Sequence, residues 1–186
     1  MAQAPDVISE LTADHRGVQR LFDDIRSSSP GSAKRKELVD QVTQELVRHT
    51  VAEKEYLYPA VRHHVTDGER LAGKEVADLA EIEKTLQALI SKAPDEQDFT
   101  RLLLRLITQV TDHVLIEEQT VYPKLRAACS AETLRELGQK VRRAKKIAPT
   151  QPHPHLPDTP QAAKLVSPGV GLIDRIRDLA PRRGKH

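Results

Sequence analysis

Two stretches of the chain carry the same reactive groups at the same spacing. HTVAEKEYLYP at 49–59 and HVLIEEQTVYP at 113–123 each open on a histidine, place a glutamate four residues later and close on Tyr-Pro. Four residues of α-helix turn the chain by about 40° and climb about one turn, so His49 with Glu53 can meet one ion, and His113 with Glu117 another. A single HxxxE is ordinarily a solvated helix pair. Two copies with matching offsets on apolar stripes point to a metal: carboxylates bridge a pair of ions while imidazoles complete each shell, as in carboxylate-rich sites inside helical bundles. His15, on another apolar stripe, adds a third imidazole. Burying such groups without a cation costs several kcal/mol each, or forces them to neutralise.

Four amphipathic segments must position these groups. The first carries Ile8, Leu11, His15, Val18, Leu21, Phe22 and Ile25 on one face and stops at SSSPG, 27–31. The second runs from about Ser32 to His64, with Leu38, Val42, Leu46, His49, Glu53 and Tyr56 inward, and ends at Asp67-Gly68. The third spans roughly 69–93 before Pro94, and the fourth about 98–129. Short breaks between four such segments predict an all-α, up-down-up-down four-helix bundle. Counting residues from the breaks puts His15, Glu53, Leu79 and His113 near one level. Residues 1–130 are therefore expected to form the bundle, 131–148 an accessory basic helix across one end, 149–170 a Pro-rich linker, and 171–186 a short amphipathic helix and tail.

Composition bounds the rest. Aromatics are 3% and no stretch alternates polar and apolar residues, so strands are not expected. The formal net charge of +2 offers no general attraction to nucleic acid or an anionic membrane, and no apolar run approaches a membrane span. One cysteine, Cys129, and a polar start without signal-peptide character point to the cytoplasm. KVRRAKK at 140–146 reads as a solvated helix face, His63 and His64 as exposed, and His153 and His155 as linker residues. The oligomeric state is not legible.

His15, the two HxxxE motifs and the aromatic-Pro that follows each make residues 5–128 resemble the hemerythrin-like family of HHE cation-binding domains. The resemblance implies a non-haem centre of two iron ions, oxo- or hydroxo-bridged, that binds or reacts with oxygen, hydrogen peroxide or nitric oxide. It implies His15, His49, Glu53, His113 and Glu117 as ligands. One position departs: where the family shows a histidine on the third helix, in a segment like EHAEI, this chain reads DLAEI at 78–82, with Leu79 in the histidine's place. That side is left to solvent, a nearby oxygen donor or nothing; Tyr56, seven residues after His49 and three after Glu53, is the best candidate substitute, and the other reading of it is a core tyrosine hydrogen-bonded to a buried group. Tyr58 and Tyr122, nine after their histidines, are expected to point away, serving with Pro59 and Pro123 in packing and kinking.

Loss of an imidazole, and gain of a phenolate, shift a metal pair toward the ferric state and away from reversible oxygen carriage. The expected activity is catalase-like decomposition of hydrogen peroxide in oxidative-stress defence. The alternative is a module that binds or senses oxygen, nitric oxide or iron without turnover. Storage, or zinc or manganese in the same donors, is a third reading; zinc-protease chemistry is disfavoured because HExxH is absent.

Overall fold

The computed structural model describes residues 5–150. The linker and short helix expected beyond 150 lie outside the described residues. Every regular element among them is helical: α1 (Val7–Ser27), α2 (Ala33–Ala52), α3 (Tyr58–His64), α4 (Gly68–Ile90), α5 (Gln97–Ile116), α6 (Tyr122–Ala128) and α7 (Ala131–Ile147). A π-helical turn, Glu53–Leu57, joins α2 to α3, and a second, Glu117–Val121, joins α5 to α6. The result is the expected four-rod bundle with α7 added.

Local chemistry sets the ends of the rods. The Asp6, Ser32 and Ser130 side chains accept from the backbone N–H of Ser9, Arg35 and Thr133, at 2.7, 3.2 and 3.1 Å, and so cap α1, α2 and α7. Arg35 donates back to the carbonyls of Ile25 and Ser28, at 3.3 and 2.8 Å, which ties the start of α2 to the end of α1. The Asp67-Gly68 turn works by close approach: a Cβ on Gly68 would lie 2.0 Å from the Val61 carbonyl oxygen, so only glycine lets α4 begin there.

The core is aliphatic. Val18, Phe22 and Ile25 meet Leu38, Val42, Leu46, Leu79, Ile82, Leu86, Phe99, Leu106 and Val110, all buried. Each such side chain contributes about 1.5–3 kcal/mol by leaving water. This apolar casing tolerates the polar layer at its centre.

α7 does not cross an end of the bundle. Its buried stripe, Leu134, Leu137, Val141 and Ala144, packs on α1 and α2. Gly138 sits so close to the start of α1 that a Cβ would be 2.7 Å from the Pro5 carbonyl oxygen. Further along, Arg142 reaches Glu10, and Lys145 reaches Glu10 and Asp14. Residue numbers climb together on the two helices, so α7 runs parallel beside α1. Two cations of the KVRRAKK face, expected to be solvated, are therefore engaged with α1 carboxylates.

Candidate metal centre

The repeated Tyr-Pro explains the two π turns. In a continuous α-helix the N–H of residue 59 would bond to the carbonyl of Glu55, and that of residue 123 to Gln119. Proline lacks the N–H, and its ring collides with that carbonyl. Widening the preceding turn by one residue relieves the collision. The Tyr58 N–H then bonds to the Glu53 carbonyl and the Tyr122 N–H to that of Glu117, each five residues back. Tyr58 is thereby turned toward the face that carries Glu53, where an unbroken α-helix would put it about 140° away.

Three imidazoles and two carboxylates meet between the rods, each residue almost wholly buried. His49 Nε2 lies 2.8 Å from Glu53 Oε1, and His113 Nε2 lies 3.8 Å from Glu53 Oε2. His15 Nε2 is 3.2 Å from His49 Nε2 and 3.3 Å from Glu117 Oε2, while His113 Nε2 is 3.7 Å from the same Glu117 oxygen. Neither oxygen of Glu53 is in hydrogen-bonding geometry with any group, although imidazole nitrogens stand close by. One ligand atom from each of His15, His49, Glu53 and Glu117 lies within 4.8 Å of all the others. His113 borders the same carboxylates from the other side.

Glu117 holds two hydrogen bonds from phenols: Tyr58 donates to Oε1 at 2.8 Å and Tyr122 to Oε2 at 3.1 Å. The same hydroxyls lie 3.5 Å from His113 Nε2 and 3.4 Å from His15 Nε2. The Tyr122 ring stacks on His15, with centroids 5.9 Å apart. Burial, then the charges of Glu117 and Glu53, push both phenols well above their usual pKa of 10. Both are neutral donors to the Glu117 carboxylate.

A second ring of carboxylates backs the imidazoles. Glu118 Oε1 is 2.8 Å from His15 Nδ1, Asp14 Oδ2 is 3.2 Å from His49 Nδ1, and Glu75 Oε2 is 2.9 Å from His113 Nδ1. Hydrogen-bonded carboxylates such as Glu118 at His15 and Asp14 at His49 hold the proton on Nδ1 and turn Nε2 inward; Glu75 faces His113 Nδ1 at ion-pair distance, outside hydrogen-bonding geometry. Burial disfavours charge on His49, yet Glu53, Asp14 and Glu117 override it and raise its pKa to about 10. His113 is raised in the same way, against its burial, by Glu117, Glu53 and Glu75. Burial pushes Glu53 up, but the charges of His49 and His113 hold it well below the usual carboxylate range. Without metal, protons supply the positive charge that the buried carboxylates demand.

His15, His49, Glu53, His113 and Glu117 are thus brought together. Tyr56 is not: it is only partly buried and hydrogen-bonds Glu55. The π turn turns it off the stripe and brings Tyr58 in, and its twin does the same for Tyr122. Leu79 is buried and lines an apolar cavity of about 10 Å³ with Val18, Leu46, Ile82 and the three histidines. Glu75, one turn earlier on α4, has no exposed surface and marks where that helix contributes a polar group. An acid on an otherwise apolar stripe was its signal in the sequence. Asp14 and Glu118 adjoin His15 and Glu117 in the chain. His63 and His64 are exposed at the end of α3, and burial raises the Cys129 thiol.

A helical bundle whose interior holds histidines and glutamates within ligating reach of one another is the architecture of a metal-binding domain. Residues 6–125 match the model of the hemerythrin HHE cation binding domain, and the chain belongs to that family. It is 27% identical over 168 residues to an uncharacterized hemerythrin-like protein of Schizosaccharomyces pombe, covering 89% of this chain and 82% of that one. It is also 29% identical over 136 residues, 73% of its length, to a DNA nickase of Nostoc, of which it spans only 38%. Among solved structures, a hemerythrin HHE cation binding domain-containing protein of Mycobacterium kansasii superposes with a TM-score of 0.67 at 21% identity. That match covers 76% of this chain and 86% of the other, and shows the shared fold. No helix among the described residues is long and apolar enough to cross a membrane.

Proposed function

We propose that the chain holds two iron ions among His15, His49, Glu53, His113 and Glu117 and uses them to decompose hydrogen peroxide to water and oxygen. The observation that carries the reading is Glu53: it has no exposed surface, neither oxygen has a hydrogen-bond partner, and an imidazole Nε2 stands on each side. A carboxylate so placed calls for positive charge beside it, which imidazole protons supply in the metal-free protein and which bound cations would supply in their stead. Two iron ions held there would supply the redox cycling by which one peroxide is reduced to water while another is oxidised to oxygen.

The residues of the chain do the rest. Glu53 and Glu117 lie between the imidazoles and would hold the ions together with them. Glu118 and Asp14 fix the His15 and His49 rings by their Nδ1 atoms, and Glu75 sets a negative charge beside that of His113. Five carboxylates around three imidazoles, with Leu79 in place of a fourth, favour the ferric state over the ferrous one that reversible carriage needs. Tyr58 and Tyr122 keep protons at hydrogen-bonding distance from Glu117. The casing of Val18, Leu46, Leu79, Ile82, Val110 and Val114 excludes bulk water.

Iron-loaded protein is expected to evolve oxygen from hydrogen peroxide at an electrode, with about two irons per chain by elemental analysis. The His49→Ala, His113→Ala double variant is expected to lose both. Iron-loaded protein that evolves no oxygen overturns the peroxide reading. One observation favours a second reading: the cavity beside the histidines is apolar and about the size of one water, which suits an apolar diatomic better than peroxide. Binding or sensing of oxygen or nitric oxide would then show as a stable complex of the ferrous protein without turnover.

A further inference from the structure

Lys145 lies on α7, outside the segment that matches the family, yet it is two contacts from the cluster. Its Nζ is 2.5 Å from Asp14 Oδ1, and the other oxygen of Asp14, Oδ2, is 3.2 Å from His49 Nδ1. We propose that Lys145 is a positioning residue of the metal centre, holding Asp14 against His49 so that His49 presents Nε2 to the ion. This rests on the reading of the cluster as a metal site.

The argument is geometric. Asp14 is on the rim of the bundle, its side chain and that of Lys145 each 18% exposed, so the carboxylate has water within reach. One oxygen must stay on His49 for the ring to keep its orientation. Lys145 takes the other oxygen, and the carboxylate is thereby fixed at both ends. The neighbouring contacts show that this is not simply how α7 is fastened. Arg142 donates to the Pro5 carbonyl at 2.9 Å and to Glu10 at 3.2 Å, Gly138 is in close contact with the start of α1, and the Leu134 to Ala144 stripe is buried. All of these remain when Lys145 loses its charge. Neutralising Lys145 therefore leaves α7 docked and frees Asp14.

Carboxylates behind a ligating imidazole commonly govern metal affinity by 10- to 100-fold. The full-length chain is loaded with Zn²⁺ and titrated against a chromophoric chelator, and the metal-free melting temperature of each variant is recorded. Lys145→Met is expected to bind Zn²⁺ about 10-fold more weakly than wild type, with an unchanged metal-free melt. Lys145→Arg is expected to recover most of the affinity, and Lys140→Met, on the exposed side of α7, to match wild type. Adding Lys145→Met to Asp14→Asn is expected to cost nothing further, because both changes remove one constraint. Wild-type affinity in Lys145→Met overturns the proposal. So do penalties that add, or an affinity loss that follows a loss of helicity. Wild-type protein that takes up neither zinc nor iron would sink the metal reading first, and is recognised because it precedes any comparison of variants.

Discussion

The polar residues at the centre divide by how they are reached along the chain. The histidines and glutamates were legible because each HxxxE pair closes within an ordinary helical turn, and that spacing holds in any α-helix. Tyr58 and Tyr122 were not, since their inward placement depends on one extra residue in the turn before each proline. A buried carboxylate that loses one hydrogen bond costs about 1–3 kcal/mol. Tyr58→Phe and Tyr122→Phe, each removing one donor from Glu117, are expected to lower metal-free stability by that amount in urea denaturation. Tyr56→Phe, at a partly exposed site, is expected to stay within about 0.5 kcal/mol of wild type. Equal losses at Tyr56 and Tyr58 would contradict the rotated turn. Leu79→His, which returns an imidazole to the cavity, is expected to slow metal release to a chelator and to suppress reaction with peroxide. Unchanged metal release would mean that Leu79 does not stand beside the ion.

The rods themselves were plain in the sequence, because apolar residues recur at the helical period and SSSPG, Asp67-Gly68 and Pro94 end the runs. Periodicity states that a face is buried, not against what, and so α7 was misplaced across an end. The close approach at Gly138 and the Glu10 and Asp14 carboxylates that draw it alongside α1 are visible only in three dimensions. Periodicity also overlooks a π turn, because one added residue leaves both flanking helices regular and merely shifts their phase. Deleting Lys54 would remove that shift and rotate α3 by about 100° relative to α2. The deletion is expected to carry Tyr58 away from Glu117, expose the buried side of Ala60 and Val61, and lower Zn²⁺ affinity by at least about 10-fold. Deletion of Asp95, exposed in the turn between α4 and α5, is expected to be tolerated by comparison. Equal binding by the two variants would show that the π turn does not position the site.

For the molecule as a whole, a metal held as proposed would compete with protons for one set of groups, which ties stability to pH in two opposite ways. His49 in the folded, metal-free protein has a pKa of about 10 against an ordinary 6.5. Its contribution to stability is therefore complete below about pH 6.5 and is lost as pH rises through 10. Glu53, depressed from 4.5, contributes above about pH 4.5 and loses that contribution on acidification. The metal-free fold should be firmest between these limits and weaken steadily above pH 6.5. An ion ligated by His49 would have to displace its proton, so metal affinity is expected to rise with pH over the interval in which metal-free stability falls. Since a ligand of the folded state stabilises according to its affinity, the melting temperatures of Zn²⁺-loaded and metal-free protein should draw further apart from pH 6.5 to about 9. Fluorimetric melts across that range at fixed free zinc measure the gap directly. A gap that stays constant or narrows would mean that the ion binds without displacing the imidazole protons, and so does not sit at His49.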